Sequence, residues 1–190
     1  MAQINEKRVP RQLLILNGPA GAGKTTVARR LVAWHPNTVC ISGDAVRAFA
    51  PADPAATRGL LGGGSTYRAA ASLVTSYYEM GARRVIFEFV FETPSHVAHF
   101  NSACPPDVVT QLVTLWAPVA VLQARAAARA GREPFGDRIA ASARAMESCI
   151  DRLGTVITTD GRTVDDIARE VDRALSFAVT AHAAARRFAL

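Results

Sequence analysis

Residues 18–25 read Gly-Pro-Ala-Gly-Ala-Gly-Lys-Thr. They follow a short apolar run, Gln12 to Asn17 (QLLILN), and open a segment with helical spacing, Thr26 to Trp34 (TVARRLVAW). The pattern G-x-x-x-x-G-K-[ST] between a strand and a helix limits the possible folds more than any other feature of this chain. Small residues let successive backbone N–H groups turn inward around a phosphate, and the helix that follows adds the positive end of its dipole. Lys24 supplies charge for β- and γ-phosphates, the Thr25 hydroxyl a ligand for Mg²⁺, and Thr26 a donor for an α-phosphate. Gly18, Ala20, Gly21, Ala22, Gly23, Lys24, Thr25 and Thr26 therefore form the predicted nucleotide-binding set. Such a loop implies a bound nucleotide; it does not by itself name a reaction.

The rest of the chain alternates in the same way. β-Rich runs are predicted at Thr38 to Ser42 (TVCIS), Arg84 to Phe91 (RVIFEFVF), Val108 to Trp116 and Thr155 to Thr158. Helical patterns fall at about Ser65 to Met80, Pro94 to Ala103, Val119 to Ala130, Arg138 to Leu153 and from Val164 onward. Five β-runs separated by helices predict an α/β fold of three layers, a five-stranded parallel sheet with helices on both faces. The chain has 190 residues, 49% of them hydrophobic. That is enough for one domain with its own core, over residues 1–190, and it excludes a disordered chain. No apolar run approaches the roughly 20 residues that cross a bilayer, and residues 1–12 carry no apolar signal region. Cys40, Cys104 and Cys149 are widely spaced, with no metal-ligand pattern; they read as reduced core or near-core thiols of a cytoplasmic protein.

In open α/β sheets, ligands bind beyond the carboxyl ends of the strands. After the second β-run comes Gly43-Asp44-Ala-Val-Arg47. Asp44 beside the phosphate loop suits a general base for an acceptor hydroxyl, or a metal contact through water; as a plain residue it would be a helix N-cap. Arg47, three residues on, suits an acceptor oxygen or a phosphate. Glu88 lies between phenylalanines in the third β-run. A buried carboxylate needs a partner: hydrated Mg²⁺, a substrate hydroxyl or an internal arginine. Glu92 closes that run, facing the acceptor or serving the next helix as a cap. After the fourth β-run come Arg125, Arg129, Arg132 and Arg138, with Gly131 and Gly136 between them. This reads as an arginine-rich lid at about residues 129–138, with Arg125 and Arg129 reaching for the phosphates and Arg129 stabilising the transferred group. The turn at residues 159–161 is placed to border the base.

Other features are weaker. Gly62 to Arg68 suits either an anion cradle or a loop with Ser65 as N-cap. Tyr67, Tyr77, Tyr78 and Phe49 suit an acceptor wall or the core. His96 and His99 lack further metal ligands nearby in sequence. The formal net charge is +6, yet Lys7 and Lys24 are the only lysines and the arginines are scattered. Charge of that kind is a weak argument for a nucleic-acid partner, and none is expected.

LILNGPAGAGKTTVARRL, the Gly-Asp-x-x-Arg element, VIFEFVF and the arginine-rich segment together resemble the small P-loop kinases. Among them are shikimate and gluconate kinases, and most closely the chloramphenicol phosphotransferase type. The likeness covers about residues 12–175 and implies the P-loop NTPase fold, ATP and Mg²⁺. In that family an Asp matching Asp44 is taken as the base that activates the substrate hydroxyl. The family's third strand tends to carry aspartates where this chain has Glu88 and Phe89, so the acceptor is not carried across. The expected activity is ATP-dependent phosphoryl transfer to a hydroxyl of a small molecule: an antibiotic, a sugar or another metabolite. Glu88 and Glu92 join Asp44 and Arg47 on the substrate side, and Thr25 with Glu88 holds the metal. The alternatives are a polynucleotide 5′-hydroxyl or zeta-toxin-like kinase and a non-kinase ATP-binding switch.

Overall fold

The computed structural model describes residues 10–50, 64–128 and 137–188, with side chains as far as 181. Five strands form one sheet: β1 (Gln12–Asn17), β2 (Thr38–Ser42), β3 (Arg84–Glu88), β4 (Val109–Trp116) and β5 (Thr155–Thr158). Their order is β2-β3-β1-β4-β5, and every pairing is parallel. The described helices are α1 (Lys24–Trp34), α2 (Gly43–Ala48), α3 (Ser65–Glu79), α4 (Pro94–Ser102), α5 (Val119–Ala127), α6 (Asp137–Glu147) and α7 (Val164–Phe188), with a short 3₁₀ turn at Ile150–Arg152. This is the predicted three-layer α/β sheet.

The two-residue period of a strand divides the core. Leu14 and Leu16 of β1 point to one face, where they join Val27, Ala28 and Leu31 of α1 and Ile167, Val171 and Leu175 of α7. Leu13 and Ile15 point to the other, among Ala70, Val74 and Tyr78 of α3 and Phe87, Phe91 and Phe100. Both faces of β1 are thus apolar and covered, which is why its sequence is a continuous run and not an alternation. Tyr78 belongs to this core, and its hydroxyl donates to the Gln12 carbonyl at 2.6 Å.

Several boundaries differ from the sequence reading, each for a local reason. β3 ends at Glu88, three residues before the predicted Phe91. Its partner β1 has turned into the glycine loop by then. The Phe89 amide still donates to the Leu16 carbonyl at 3.2 Å, but Phe91 is held by a side chain: its N–H donates to Asn17 Oδ1 at 2.8 Å, and Asn17 Nδ2 donates to its carbonyl at 3.1 Å. The helix predicted over 138–153 stops at Glu147 and resumes as the 3₁₀ turn. α3 starts from Gly64, whose left-handed backbone (φ 99°) makes it the N-cap in place of Ser65. Cys149 is buried and Cys104 partly so, as expected, whereas Cys40 on the edge strand is exposed. Among the described residues no helix is long and apolar enough to cross a membrane.

Cys104 packs against the α3 side of the core. Burial pushes its thiol from the ordinary 9.0 up to about 11, so the folded chain favours the protonated form. That contribution to stability is complete below pH 9.0 and is lost as the pH rises to about 11. Urea-unfolding midpoints should therefore fall over this window, and Cys104→Ala should flatten part of the fall. An identical alkaline slope in the variant would show that another group causes it.

Candidate active site

The carboxyl end of β1 runs into the loop at residues 18–23, and α1 begins at Lys24 with Gly23 as its left-handed N-cap (φ 95°). The loop lies tightly against its neighbours. A Cβ at Gly18 (φ 141°) would overlap the Leu115 carbonyl at the end of β4, and one at Gly21 (φ 86°) the Leu122 carbonyl of α5. Backbone approaches this close explain why these two positions are glycine. The Lys24 ammonium donates to the Gly18 carbonyl at 2.7 Å and the Pro19 carbonyl at 3.1 Å, so it lies along the inside of the loop.

Glu88, the last residue of β3, stands in register with Leu16 of β1 and Ser42 of β2. That places it beside the start of α1. The Thr25 hydroxyl donates to Glu88 Oε1 at 3.2 Å, and Glu88 is only 5% exposed. Of the three partners considered for this carboxylate, an internal arginine is not found among the described residues. A hydroxyl and a buried carboxylate together are a hard-oxygen set of the kind that suits Mg²⁺.

Asp44 and Arg47 follow on α2, two and five residues past Ser42, and both are exposed. The N-cap of α2 is Ser42, so Asp44 sits within the first turn and is not the cap. Gly43 is buried because the Phe89 ring covers it; a Cβ there would fall inside that ring. Phe89 thus stands between the Asp44 helix and Tyr67, whose ring meets it edge-on at 5.9 Å and stacks on Phe91 at 4.9 Å. The Tyr67 hydroxyl donates to the Val90 carbonyl at 3.4 Å. Burial, and secondly the charge of Glu92, push that hydroxyl up to about 12, so it stays neutral. Glu92 is not a cap either: the Thr93 side chain caps α4, accepting from the His96 amide at 3.4 Å. Phe49, at the end of α2, is 89% exposed and forms no part of the core. His96 and His99 border Tyr67, and no metal-binding cluster occurs among the described residues.

On the opposite side of the loop lies a cleft of about 300 Å³, lined by Gly21, Ala22, Gly23, Thr26 and Val27 together with Arg125, Thr159, Arg162, Val164 and Ile167. Its size suits a small ligand. Arg125 is turned onto Thr159, donating to its hydroxyl at 2.9 Å and its carbonyl at 3.0 Å. Arg129 and Arg132 lie outside the described residues, as does most of the expected lid.

Asn17 and Thr114 were missed as site residues. Asn17 Nδ2 also donates to Thr114 Oγ1 at 3.1 Å, and Thr114 Oγ1 donates to the Leu153 carbonyl at 2.6 Å. Both are fully buried beneath the loop. Asn17 is legible as the polar residue that closes the apolar β1, whereas Thr114 is one of three polar residues inside β4 and nothing in the sequence sets it apart. Arg162, also unassigned, completes the cleft wall.

The sequence pattern of the AAA domain family matches residues 13–155. No curated protein matches the chain by sequence. Among solved structures, a sugar kinase from Janibacter sp. HTCC2649 is 18% identical and aligns over 90% of this chain and 98% of its own, with a TM-score of 0.60. A gluconokinase from Sinorhizobium meliloti 1021 is 16% identical over 96% of this chain and 98% of its own (TM-score 0.54). The tunicamycin resistance protein of Deinococcus radiodurans is 16% identical over 85% and 93% (TM-score 0.57). At these identities the likeness is one of fold alone: the P-loop NTPase-like open parallel α/β sheet described above.

The Phe89 ring over Gly43 gives a direct test of this packing. Gly43→Ala should destabilise the protein by about 1–3 kcal/mol, the usual scale for overpacking, measured by urea denaturation. A variant as stable as the parent would mean that the ring is not fixed there.

Proposed function

The chain belongs to the AAA domain family, and from that premise we propose that it is a phosphotransferase moving the γ-phosphoryl group of ATP to a hydroxyl of a small molecule. One observation carries the reading. The Thr25 hydroxyl of the phosphate loop meets the buried Glu88 carboxylate at 3.2 Å. A simple nucleotide-binding loop has no need of a buried acid at that point. A site that must hold a triphosphate with its metal does.

The residues present fit Mg²⁺: Thr25 and Glu88 would hold it, Glu88 directly or through water. Bound there, the ion supplies charge neutralisation of the β- and γ-phosphates. Lys24 leaves the Gly18 and Pro19 carbonyls to pair with the same phosphates. The loop amides and the start of α1 hold the triphosphate by hydrogen bonds and dipole. The base enters the cleft beside Arg125, which directs the γ-phosphate toward the β2 and β3 side of the sheet. Asp44 takes the proton of the acceptor hydroxyl as that oxygen bonds to the γ-phosphorus. The bond to the bridging oxygen breaks, and ADP departs with its electron pair. Arg47 and Glu92 orient the acceptor. Arg129 is retained as the proposed stabiliser of the transferring group. The acceptor is a small alcohol, in line with similar folds described as a sugar kinase and a gluconokinase. An antibiotic stays within that class, given the tunicamycin resistance protein of similar fold. The reduced cysteines and the ATP requirement suit the cytoplasm.

Two substitutions separate binding from transfer. Lys24→Ala should abolish turnover and weaken ATP binding, read by calorimetry. Asp44→Asn should leave ATP binding within about twofold and lower transfer by about 10²-fold or more, the scale of a lost general base. The assay is a panel of sugars, antibiotics and other alcohols, scored by mass spectrometry for a gain of one phosphoryl group. Wild-type transfer by Asp44→Asn would remove that residue's role. Labelling of an oligonucleotide 5′-hydroxyl, with no small acceptor modified, would move the assignment to a polynucleotide kinase.

A further inference from the structure

Asn17 stands where the sheet gives way to the site. On one side it is still in register with Thr114 of β4; on the other, the pairing of β1 with β3 ends one residue earlier, at Leu16 and Glu88. Past that point Phe91 is held by a side chain in place of a strand. Its N–H donates to Asn17 Oδ1 at 2.8 Å, and its carbonyl accepts from Asn17 Nδ2 at 3.1 Å. Both residues are fully buried, so neither backbone group has water as a substitute partner. The Asn17 amide has one orientation that satisfies both, because the N–H must face an oxygen and the carbonyl an N–H. Its Nδ2 also donates to Thr114 Oγ1 at 3.1 Å, and the Thr114 hydroxyl donates onward to the Leu153 carbonyl at 2.6 Å.

The segment held in this way is the floor of the proposed acceptor half. The Phe91 ring stacks on Tyr67 at 4.9 Å, and the Tyr67 hydroxyl donates to the Val90 carbonyl at 3.4 Å. Glu92 is the next residue, and its carbonyl accepts from Cys149 Sγ at 3.5 Å. The phosphate loop has anchors of its own. Gly18 lies against the Leu115 carbonyl and Gly21 against the Leu122 carbonyl. Loss of the Asn17 amide therefore loosens the acceptor side more than the nucleotide side.

We propose that Asn17 is a positioning residue for phosphoryl transfer: buried beneath the site, it sets residues 90–92 against the phosphate loop and so aligns an acceptor that it does not touch. The inference rests on the phosphotransferase reading given above. Transfer depends steeply on such alignment, since a misplacement of about 1 Å costs on the order of 10²-fold.

The test uses the full chain and three variants. Asn17→Asp keeps the shape of the side chain, removes its donor and sets an oxygen against the Phe91 carbonyl. Thr114→Val is milder and removes only the hydroxyl that orients the amide; Thr114→Ser keeps that hydroxyl. MgATP affinity and the number of nucleotide sites are read by calorimetry. Transfer is read with the member of the sugar, antibiotic and alcohol panel that the parent phosphorylates fastest. Hydrogen exchange over residues 89–93 needs no acceptor. In Asn17→Asp that exchange should quicken, the acceptor KM should rise, and turnover per nucleotide site should fall by about 10²-fold while the MgATP dissociation constant stays within about threefold. Thr114→Val should shift the same quantities less, and Thr114→Ser should recover most of the parent values. If Asn17→Asp does not fold, the Thr114 pair decides alone. A merely structural role would reduce the number of nucleotide sites and leave the acceptor KM and the turnover per site at parent values. That result overturns the proposal, as does unchanged exchange over residues 89–93 or a MgATP affinity that falls as far as transfer does. A parent protein that binds MgATP and phosphorylates no member of the panel would instead remove the phosphotransferase reading, and this inference with it.

Discussion

The Asn17 side chain joins parts of the chain that have no other reason to stop together. It is the last residue of β1, fully buried, and its amide forms two hydrogen bonds to the backbone of Phe91 and one to Thr114. Thr114 passes the connection to the carbonyl of Leu153. Parallel strands lose their backbone partners when one of them turns away, and a buried unpaired N–H or carbonyl is destabilising by about 1–3 kcal/mol. At this point β1 must turn, because the glycine loop begins one residue later. Asn17 replaces the missing ladder rungs, and so holds the segment after β3 level with the loop floor. Glu88 is itself placed by the ladder, in register with Leu16 and Ser42, and the Asn17 amide carries that alignment past the end of β3 to Phe91.

The strand order then divides the work. β4 and β5 lie on one side of β1, β3 and β2 on the other. The cleft with Arg125, Thr159 and Arg162 lies on the first side; Glu88, Asp44 and Phe89 lie on the second. Cations and apolar surface gather where the proposed base goes, and carboxylates gather where a metal and an acceptor hydroxyl are proposed to meet. A nucleotide laid across the loop has only one direction that matches both halves. The crossover from β1 through α1 to β2, at the sheet edge, is what leaves the end of β3 next to the loop for Glu88.

Much of this was legible in the sequence, and the rest was not for identifiable reasons. The strand, glycine loop and helix are local, and their residues carry the signal within about twenty positions. The five-stranded parallel sheet followed from apolar runs long enough to be covered on both faces. Glu88 stood out as one charge inside such a run, but its partner did not: Thr25 is 63 positions away. The same holds for Arg125, read as a phosphate ligand from its place after β4. Its bonds to Thr159 depend on how α5 meets the end of β5, which no spacing records. The early end of β3 was hidden because Phe89, Val90 and Phe91 have every strand preference; an asparagine 74 positions earlier took over their pairing. Gly64 displaced Ser65 as the cap of α3 because a left-handed backbone can start a helix without a side-chain oxygen, which favours glycine over the better-known capping residues.

The two halves of the site also differ in what they are made of. The proposed phosphate half consists of backbone, small residues and one lysine. The proposed acceptor half is built from side chains on α2, the start of α3 and the segment after β3. There Phe89 covers Gly43 and is itself met by Tyr67, so ring packing sets how close α2 and its Asp44 lie to the end of β3. A change in any of these rings would move the proposed base without touching the loop. Sequence identities of 16–18% with a sugar kinase and a gluconokinase over nearly their whole length show that the fold persists where the sequence has diverged. On the proposed function, the choice of acceptor would accordingly rest on Tyr67, Phe89 and Glu92 more than on the motif by which the chain is first read.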